Sequence, residues 1–384
     1  MATRQVKCSI IRGGTSKGVF VERDELPPHG PERDKIILAL YGSPDKRQID
    51  GLGGADKLTS KTAIMGAPTR SDCDIDYHYG QVGTDLPTID WTSNCGNISA
   101  GAAAYAVYKG YVRATGPSAL VRIHQVNTGR RLLATVPMAD GMPATEGDFK
   151  IGGVPGTGAR IDLDFSDFTG CILNRGLLPT GSPMDRFKVP GIGMLDVSVV
   201  DVANLCAFVR GSDVGMDNTE DIESLQANQE IVAKLEAIRA VVALETGLVS
   251  RDVDTDRELR RRVNPLMFIV GTPRDYDALN GEHIDAGNTD IFARSLARWA
   301  FSKTYPATGS IGTGVACTVA GSIPAEVVRG GPPARGETRS VRIGHPSGTL
   351  VTEAGISADG QLVIRGSVGR TARVLMEGTA FVRV

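Results

Sequence analysis

The sequence lacks the features that place a protein in a membrane or on a nucleic acid. No apolar run of the 384-residue chain approaches the length that spans a bilayer, and the opening MATRQVKCSIIRGG lacks the apolar core of a signal peptide. Its 42 basic and 44 acidic residues give a net charge of −2, which leaves no basic stripe for nucleic acid. We therefore expect a soluble, cytoplasmic protein that binds neither membranes nor nucleic acid.

Cysteine and histidine are both scarce and scattered. The six cysteines include no close pair, which is typical of reduced thiols in a cytosol. Neither the cysteines nor the five histidines show the spacing of a zinc site. We therefore expect neither a metal nor any other cofactor.

What the chain does contain is a thiol at the predicted start of a helix made of small residues. Cys95 lies in the sequence NCGN at 94–97, just before ISAGAAAYAV, a run that is too apolar to face water. Free N–H groups and the helix dipole stabilise a thiolate there and lower a cysteine pKa from about 8.5 towards neutrality. Cys95 is therefore a candidate catalytic residue, although a small buried hydrophobic residue would have the same surroundings.

A second small-residue run far downstream indicates an internal duplication. SIGTG at 310–314 opens the run VACTVAGSI, and after each run a strand-like segment begins with Val-Arg-Ile, at 121–123 and at 341–343. Two matches in the same order at similar separation predict two similar halves, each with sheet around an apolar central helix. We expect Cys95 and Gly312 to begin these helices, with both N-termini at one cleft that would bind a small anion.

Local patterns predict the remaining elements. Pro31 and Gly42 flank a short helix, TSKTAIM and DIDYHYGQV alternate as strands do, and 221–246 has the apolar spacing of an amphipathic helix. Glycine and proline at 141–158 predict a hairpin or loop, and 177–191 resembles a linker. We accordingly divide the chain into 1–185 and 186–384, leaving open whether the last strand returns to the first half.

Three glycine-containing loops carry groups that bind anions. RGGTSKG at 12–18 follows a predicted strand and combines backbone N–H groups with two hydroxyls and two cations, although it is not a Walker loop. DGLGGA at 50–55 leads to Lys61, and HPSG at 345–348 offers a histidine and a hydroxyl in a rigid turn. Each loop is equally compatible with an ordinary turn and exposed side chains, so the residues alone leave its role open.

Taken together, these segments resemble the PrpF family of isomerases. The resemblance covers nearly the whole chain and lies in RGGTSKG (12–18), GSPDKRQIDGLGGADKLTSK (42–61), NCGN (94–97), DVANLCAFV (201–209) and IGHPSG (343–348). It implies an α+β fold like that of diaminopimelate epimerase, with two similar domains, each wrapping β-sheet around a central buried helix, and an active site in the cleft between them.

The resemblance also implies roles for individual residues. Lys61 and Cys95 fall on the two acid/base positions of the family. The positions that would bind substrate are Arg12, Thr15, Ser16, Lys17, Gly54, Ser60, Asn94, Gly96, Asn97, Asn204, Arg274, Thr313, Gly314, His345, Ser347 and Gly348. Racemases of this fold place a second cysteine at the other helix start, where this chain has Ile311. One amine and one thiol suit the transfer of a proton between the ends of an allylic system.

The resemblance thus predicts a cofactor-independent isomerase of a small unsaturated tricarboxylate. The block at 42–61 looks most like the 4-oxalomesaconate tautomerases or isomerases of lignin-derived protocatechuate and gallate breakdown, and 2-methylaconitate cis-trans isomerisation is the alternative. For Lys61 to act as a base, desolvation and the cations Arg12 and Lys17 would have to lower its pKa from about 10.4 to about 7 or 8.

Several alternatives stay open. A non-catalytic carboxylate-binding protein would use the same loops. A cysteine hydrolase would need a histidine close to Cys95 in space. The sequence decides neither between allylic isomerisation and tautomerisation, nor which of Lys61 and Cys95 is the obligatory base, nor whether the chain forms a homodimer.

Overall fold

The computed structural model describes residues 3–216 and 220–383, which form two compact units. Unit 1 contains the residues up to Leu163 and those from Gly369 onwards, and unit 2 contains Asp164–Val368. The division expected at 185/186 coincides with the start of a strand, Asp185–Val189, which pairs with Gly193–Val197 inside unit 2. The chain instead leaves unit 1 after Leu163 and returns for its last strand.

The strands, in chain order, are β1 (Thr3–Gly13), β2 (Ser16–Glu22), β3 (Lys61–Gly66), β4 (Ile75–Val82), β5 (Ile89–Asp90), β6 (Ser118–Gln125), β7 (Arg130–Ala139), β8 (Met142–Pro143), β9 (Phe149–Lys150), β10 (Thr157–Gly158), β11 (Ile161–Asp164), β12 (Asp185–Val189), β13 (Gly193–Val202), β14 (Asn204–Arg210), β15 (Leu266–Gly271), β16 (Tyr276–Asp277), β17 (His283–Ile284), β18 (Ile291–Ala297), β19 (Ala300–Phe301), β20 (Thr338–His345), β21 (Gly348–Ile356), β22 (Val363–Arg370) and β23 (Ala372–Arg383). The helices are α1 (Pro31–Tyr41), α2 (Gly96–Tyr108), α3 (Gly211–Val214), α4 (Ile222–Ala227), α5 (Gln229–Glu245), α6 (Thr255–Arg261), α7 (Ala307–Ala316) and α8 (Ile323–Val327).

Most of the predicted local elements are present. Helix α1 begins at Pro31 and ends at Tyr41, and the next residue, Gly42, has a left-handed φ of 71° that suits glycine after a helix. The amphipathic segment at 221–246 forms α4 and α5, which are separated at Asn228; its side chain accepts a hydrogen bond from the Ile231 amide and starts a new helix. Among the described residues, no helix is long and apolar enough to cross a membrane.

Each unit wraps sheet around a buried helix, as the duplication predicts. In unit 1, every residue of α2 except Tyr108 is buried, and the helix packs on strands that include β1, β6 and β23. In unit 2, every residue of α7 is buried, and the helix packs on β13, β14 and β21. Small side chains allow this because the helix backbone can lie close to strands on several sides.

The two units repeat the same order of strand pairings. In unit 1, β1–β2 is antiparallel, β2–β3 parallel, β3–β4 antiparallel, β4–β6 parallel and β6–β7 antiparallel. In unit 2, the same alternation runs through β13–β14, β14–β15, β15–β18, β18–β20 and β20–β21.

The repeated Val-Arg-Ile segments occupy equivalent places in this pattern. Ile123 of β6 pairs with Ile75 of β4, and Ile343 of β20 pairs with Ile291 of β18. The preceding arginines also match: the Arg122 amide donates to the Asp74 carboxylate at 2.7 Å, and the Arg342 amide donates to Asp290 at 2.8 Å. The short sequence match thus marks a structural repeat.

The start of only one central helix agrees with its predicted position. Cys95 is the residue that precedes α2, as expected. The prediction that Gly312 begins the second helix is wrong, because α7 begins at Ala307 and is preceded by Pro306. Proline needs no N–H partner at a helix start, and the small residues that follow it continue the helix. Ile311 therefore lies inside α7 and is fully buried.

Close packing of β1 on α2 generates the first prediction. A Cβ atom on Gly13 would lie 2.1 Å from the Asn97 carbonyl oxygen and 2.9 Å from the Gly101 amide nitrogen, and backbone atoms cannot move aside cheaply. Gly13→Ala should therefore lower the free energy of unfolding by about 1–3 kcal/mol, measured by urea denaturation of the full chain. Gly116→Ala is the control, since nothing lies within 4 Å of its added Cβ. Equal stability of the two variants would contradict this packing.

Candidate active site

Cys95 lies at the N-terminus of α2 and is nearly buried, with 8% of its surface exposed. Its carbonyl accepts hydrogen bonds from the Ser99 amide at 2.9 Å and the Ser99 hydroxyl at 3.0 Å, which fix the first turn. Its side chain does not cap the helix. The first-turn N–H groups, on Gly96 and Asn97, are therefore not used by the thiol and form the positive end of the helix dipole.

The β1–β2 hairpin lies directly against this helix start. Gly14 turns the hairpin with a φ of 49°, and a Cβ atom there would lie 2.1 Å from the Asn97 side-chain oxygen. The Asn97 amide donates to the Thr15 hydroxyl at 3.0 Å and to the Ser16 hydroxyl at 3.5 Å. The glycines of RGGTSKG thus permit a close approach, and Asn97 joins the turn to the helix.

Arg370 completes this network, and sequence reasoning missed it. It is 3% exposed, and its Nε donates to the Asn97 side-chain oxygen at 3.0 Å, 273 residues away in the chain. Burial lowers the pKa of Arg370 to about 10, an effect that Cys95 opposes. The guanidinium thus lies within electrostatic reach of Cys95. The two arginines of RTAR at 370–373 could have suggested an anion-binding segment, but no local pattern connects this segment to NCGN.

A cavity of about 250 Å³, here called the hairpin cavity, opens beside the same turn. Its lining includes three cations, Arg12, Lys17 and Arg373, together with the Thr15 and Ser16 side of the hairpin. Burial and the nearby charge of Arg373 lower the pKa of Arg12. None of the described residues that line it is acidic. Such a cavity favours a carboxylate or another small anion.

Lys61 begins β3 and is 7% exposed. Its ammonium group donates to the Tyr79 hydroxyl at 2.9 Å and to the Gln81 side-chain oxygen at 2.6 Å, and the Tyr79 hydroxyl donates to the same oxygen at 2.7 Å. The Lys61 carbonyl accepts a hydrogen bond from Tyr41, and a Cβ on Gly18 would lie 2.6 Å from it. Tyr79 and Gln81, both on β4, thus position the amine of this buried strand residue.

The loop before Lys61 is organised by Gln48. The side-chain oxygen of Gln48 accepts from the Ser60 hydroxyl at 2.6 Å and from the Ala55 amide at 2.8 Å. Gly54 lies against Thr59, whose hydroxyl would be 2.3 Å from an added Cβ. In this structure Ser60 and Gly54 shape the loop, and Ser60 is fully buried.

The sequence matches a known protein family over nearly its whole length. The family model described as PrpF protein matches residues 3–383. The chain belongs to the PrpF family. It is 40% identical to the 3-methylitaconate isomerase of Eubacterium barkeri, over 98% of this chain and 97% of that protein. It is 36% identical to the (4E)-oxalomesaconate Delta-isomerase of a Novosphingobium species, with the same coverage of the two chains.

Solved structures agree with this assignment. The crystal structure of a methylitaconate-delta-isomerase matches with a TM-score of 0.81 and 39% identity, covering 100% of this chain and 96% of the other. A hydroxyproline epimerase from Agrobacterium vitis matches with a TM-score of 0.56 and 9% identity, over 98% and 93% of the chains, which shows a shared fold alone. The predicted epimerase-like fold is thereby confirmed.

The unit 2 residues implied by the PrpF resemblance form two local groups. Beside α7, the Asn204 amide donates to the Thr308 hydroxyl at 2.7 Å, and the Thr313 and Tyr305 hydroxyls are 2.7 Å apart. Gly314 lies further along α7, where an added Cβ would be 2.6 Å from a methyl group of Thr352. Thr313 is fully buried in the helix, so the structure shows it bonded to protein.

The second group is the turn between β20 and β21. The Tyr276 hydroxyl accepts from the His345 amide at 3.0 Å and donates to the Gly348 carbonyl at 2.7 Å. The Ser347 amide donates to His345 Nδ1 at 3.2 Å, which puts the ring proton on Nε2. The Ser347 hydroxyl donates to the Lys303 carbonyl, and Arg274 is half-buried just before β16.

The histidines of unit 1 contact groups other than Cys95. His124 bonds to Asp76 at 2.8 Å, His78 bonds to Arg33, and His29 packs on the rings of His78 and Trp91. Within the described part of unit 1, no histidine is hydrogen-bonded to the thiol, so nothing there supports a cysteine hydrolase.

Donor atoms of a type that binds metals come together elsewhere, in unit 2. Asp275, His283 and Asp285 are exposed, and their donor atoms lie within 4.8 Å of one another. The sequence spacing did not indicate this cluster, because the three residues meet through the β16–β17 hairpin. His283 is already paired with Asp277 at 2.7 Å.

The hairpin cavity generates the second prediction. Lys17→Met should weaken binding of tricarballylate by roughly 1.5–3 kcal/mol, or about 10- to 150-fold in Kd, because one charge-assisted contact is lost. Isothermal titration calorimetry measures the change. Arg12→Met should also weaken binding, but Arg12 additionally donates to the Gly14 and Thr371 carbonyls and so supports the turn itself.

Lys7→Met is the matched control, because Lys7 lies on β1, the strand of Arg12, and 80% of its side chain is exposed. It should bind like the unaltered protein. Unchanged affinity in both Lys17→Met and Arg12→Met would mean that the anion binds elsewhere.

Proposed function

We propose that this protein is a cofactor-independent isomerase that moves an allylic proton in a small unsaturated polycarboxylate, with 4-oxalomesaconate as its first candidate substrate. Two of its PrpF relatives are named as isomerases of methylitaconate and oxalomesaconate, which supports this class of reaction. The observation that carries the proposal is the setting of Lys61, a nearly buried amine hydrogen-bonded to a phenol and an amide.

Lys61 acts as the base in this proposal. The Tyr79 hydroxyl and the Gln81 side-chain oxygen hold the Lys61 nitrogen in place. The amine takes a proton from one end of the allylic system. The electrons delocalise into a dienolate, and a proton returns to carbon two atoms away, so that the double bond moves without a net redox change.

The N-terminus of α2 stabilises the dienolate. Removing a proton next to a carboxylate or carbonyl group develops negative charge on oxygen, and preorganised donors stabilise that charge. Arg370 and the first-turn N–H groups supply such donors around Cys95, and Asn97 holds Arg370 in place. Cys95 then donates a proton to, or exchanges one with, the intermediate.

The cations of the hairpin cavity hold the carboxylates. Arg12, Lys17 and Arg373 line a space without acidic side chains among the described residues, and this balance suits a substrate with several negative charges.

The degree of similarity to methylitaconate isomerases favours methylitaconate as a second candidate substrate. Identity to the 3-methylitaconate isomerase is 40%, against 36% to the oxalomesaconate isomerase, and the matched crystal structure is also a methylitaconate isomerase. Methylitaconate isomerisation is therefore the second candidate, with 2-methylaconitate next. Incubating the protein with each of the three acids in deuterated water, followed by proton NMR, ranks them by rate and by deuterium uptake.

The third prediction assigns the proton transfer. Lys61→Met should abolish both turnover and uptake of solvent deuterium, since the base is removed. Cys95→Ser should keep part of the turnover, because a hydroxyl still hydrogen-bonds to an oxyanion but is a far weaker acid. General acid/base groups are worth about 10²–10⁴-fold in rate, so NMR-monitored turnover resolves both losses.

Matched controls separate chemistry from general damage. Lys46→Met changes an exposed lysine in the same loop region, and Cys73→Ser changes a buried thiol whose pKa is raised to about 11 by burial. Both should keep full activity. If Cys95→Ser were inactive while Lys61→Met still exchanged the allylic hydrogen, Cys95 would be the base and Lys61 the assisting group. Ligand binding without deuterium uptake from any of the acids would indicate a binding protein instead.

A further inference from the structure

Unit 1 contains a second and larger cavity, here called the α1 cavity, with a volume of about 480 Å³. It lies where the start of α1 faces β3 and β4. Its walls combine apolar groups, Pro28, Ile64 and Val126, with the charged or polar side chains of Arg33 and His78. Its volume falls in the range of small-molecule sites.

Arg33 is the least compensated charge around the α1 cavity. It is only 4% exposed, and its Nε has no hydrogen-bond acceptor. Its Nη2 contacts a neutral group, His78 Nδ1, at 3.3 Å, and its guanidinium lies 5.1 Å from the centre of the Trp91 ring. No carboxylate of the described chain forms an ion pair with it. A buried charge without an oppositely charged partner is costly, so an anionic ligand would stabilise it.

His78 adds a second donor. Burial and the Arg33 charge lower the pKa of His78 to about 3, so the ring is neutral at physiological pH. Because Nδ1 faces the Arg33 donor, the ring proton sits on Nε2, for which the described residues provide no acceptor. The His29 ring lies 5.3 Å from it and extends the flat side of the cavity.

The other charges around the α1 cavity cancel. Arg23 pairs with Asp76 at 3.0 Å, and the Asp76 carboxylate also accepts hydrogen bonds from Thr69 and from His124. Asp34, next to Arg33, partly offsets the burial of that guanidinium, but its carboxylate accepts from the Trp91 indole at 3.1 Å and does not line the cavity. The lining therefore carries one uncompensated positive charge.

We propose that the α1 cavity is a binding site for a small monocarboxylate with an apolar ring, whose carboxylate contacts Arg33 and His78 and whose ring lies against Pro28, Ile64 and Val126. One positive charge matches one carboxylate. This proposal is independent of the isomerase proposal, because the hairpin cavity has a different lining with three cations.

His78 at the α1 cavity and Tyr79 at Lys61 are adjacent residues of β4. Neighbouring residues of a strand point to opposite faces of the sheet. His78 and Ile64 are register partners on one face, whereas Tyr79, which bonds to Lys61, pairs with Ala63 in the adjacent position. A ligand at His78 therefore contacts the residue next to a partner of Lys61.

The test uses 4-fluorobenzoate as the probe, with binding followed by fluorine NMR on the full chain. The unaltered protein should bind 4-fluorobenzoate, and the uncharged 4-fluorobenzamide should bind at least about tenfold more weakly, because it cannot pair with Arg33. Arg33→Met should weaken binding of the benzoate by about tenfold or more. Lys35→Met, which removes an exposed charge from the same helix, should leave the affinity unchanged.

A second variant keeps the test decisive if Arg33→Met does not fold. Val126 lines the cavity and is 36% exposed, so Val126→Trp should obstruct the cavity without changing its charge. It should weaken binding of 4-fluorobenzoate as strongly as Arg33→Met does. No detectable binding to the unaltered protein, unchanged affinity in Val126→Trp, or a loss caused by Lys17→Met instead of Arg33→Met would each overturn the proposal; the last outcome would place the probe in the hairpin cavity.

Discussion

The packing of the β1–β2 hairpin on the first turn of α2 is the constraint on which the unit 1 site depends. Gly13 and Gly14 lie where any Cβ would overlap Asn97, so the strand backbone touches the helix directly. Asn97 uses its amide for Thr15 and its oxygen for Arg370. One asparagine thus fixes the hairpin, the helix start and a buried guanidinium relative to the Cys95 backbone.

This arrangement buries positive charge, which is unfavourable until an anionic ligand binds. Burial lowers the pKa of both Arg12 and Arg370, which means that their surroundings disfavour the charged form. Protein carbonyls and amide oxygens, such as those of Gly14 and Asn97, offset part of this cost. A polycarboxylate would offset more, because it brings full negative charges to the hairpin cavity. The same physical reasoning distinguishes Arg33, a buried cation whose contacts are a neutral imidazole and an indole ring.

The sequence predicted those parts of the fold that depend on local chemistry. Small residues after Cys95 predicted a buried helix, and α2 begins directly after Cys95, as expected. The start of α7 was predicted at Gly312 because SIGTG opens the second run of small residues, whereas the residues before it are equally compatible with a helix that begins after Pro306. Composition cannot decide between these when every residue in the run is small.

Contacts between distant segments could not be predicted in the same way. Arg370 meets Asn97 because the last strand, β23, returns to pair with β1, and the sequence left that return open. Likewise, Tyr79 and Gln81 were recognised as strand residues, but their bonds to Lys61 depend on the β3–β4 register that pairs Lys61 with Gln81. A one-residue shift would place both side chains on the opposite face of the strand.

The two units share the same packing of a hairpin on a central helix but differ in the residue that precedes the helix. In unit 2, Ala203 replaces the hairpin glycine and still adopts a φ of 58°, and Asn204 bonds to Thr308 in the first turn of α7. A non-glycine residue is strained there, so the surrounding contacts must hold it. The packing of a hairpin on the central helix is therefore retained in unit 2. The residue before the helix there is Pro306, whose side chain cannot transfer a proton, whereas in unit 1 it is Cys95. Of the two central helices, only α2 is preceded by a residue that can transfer a proton, and the proposed reaction therefore takes its second acid/base group from a strand, as the Lys61 amine.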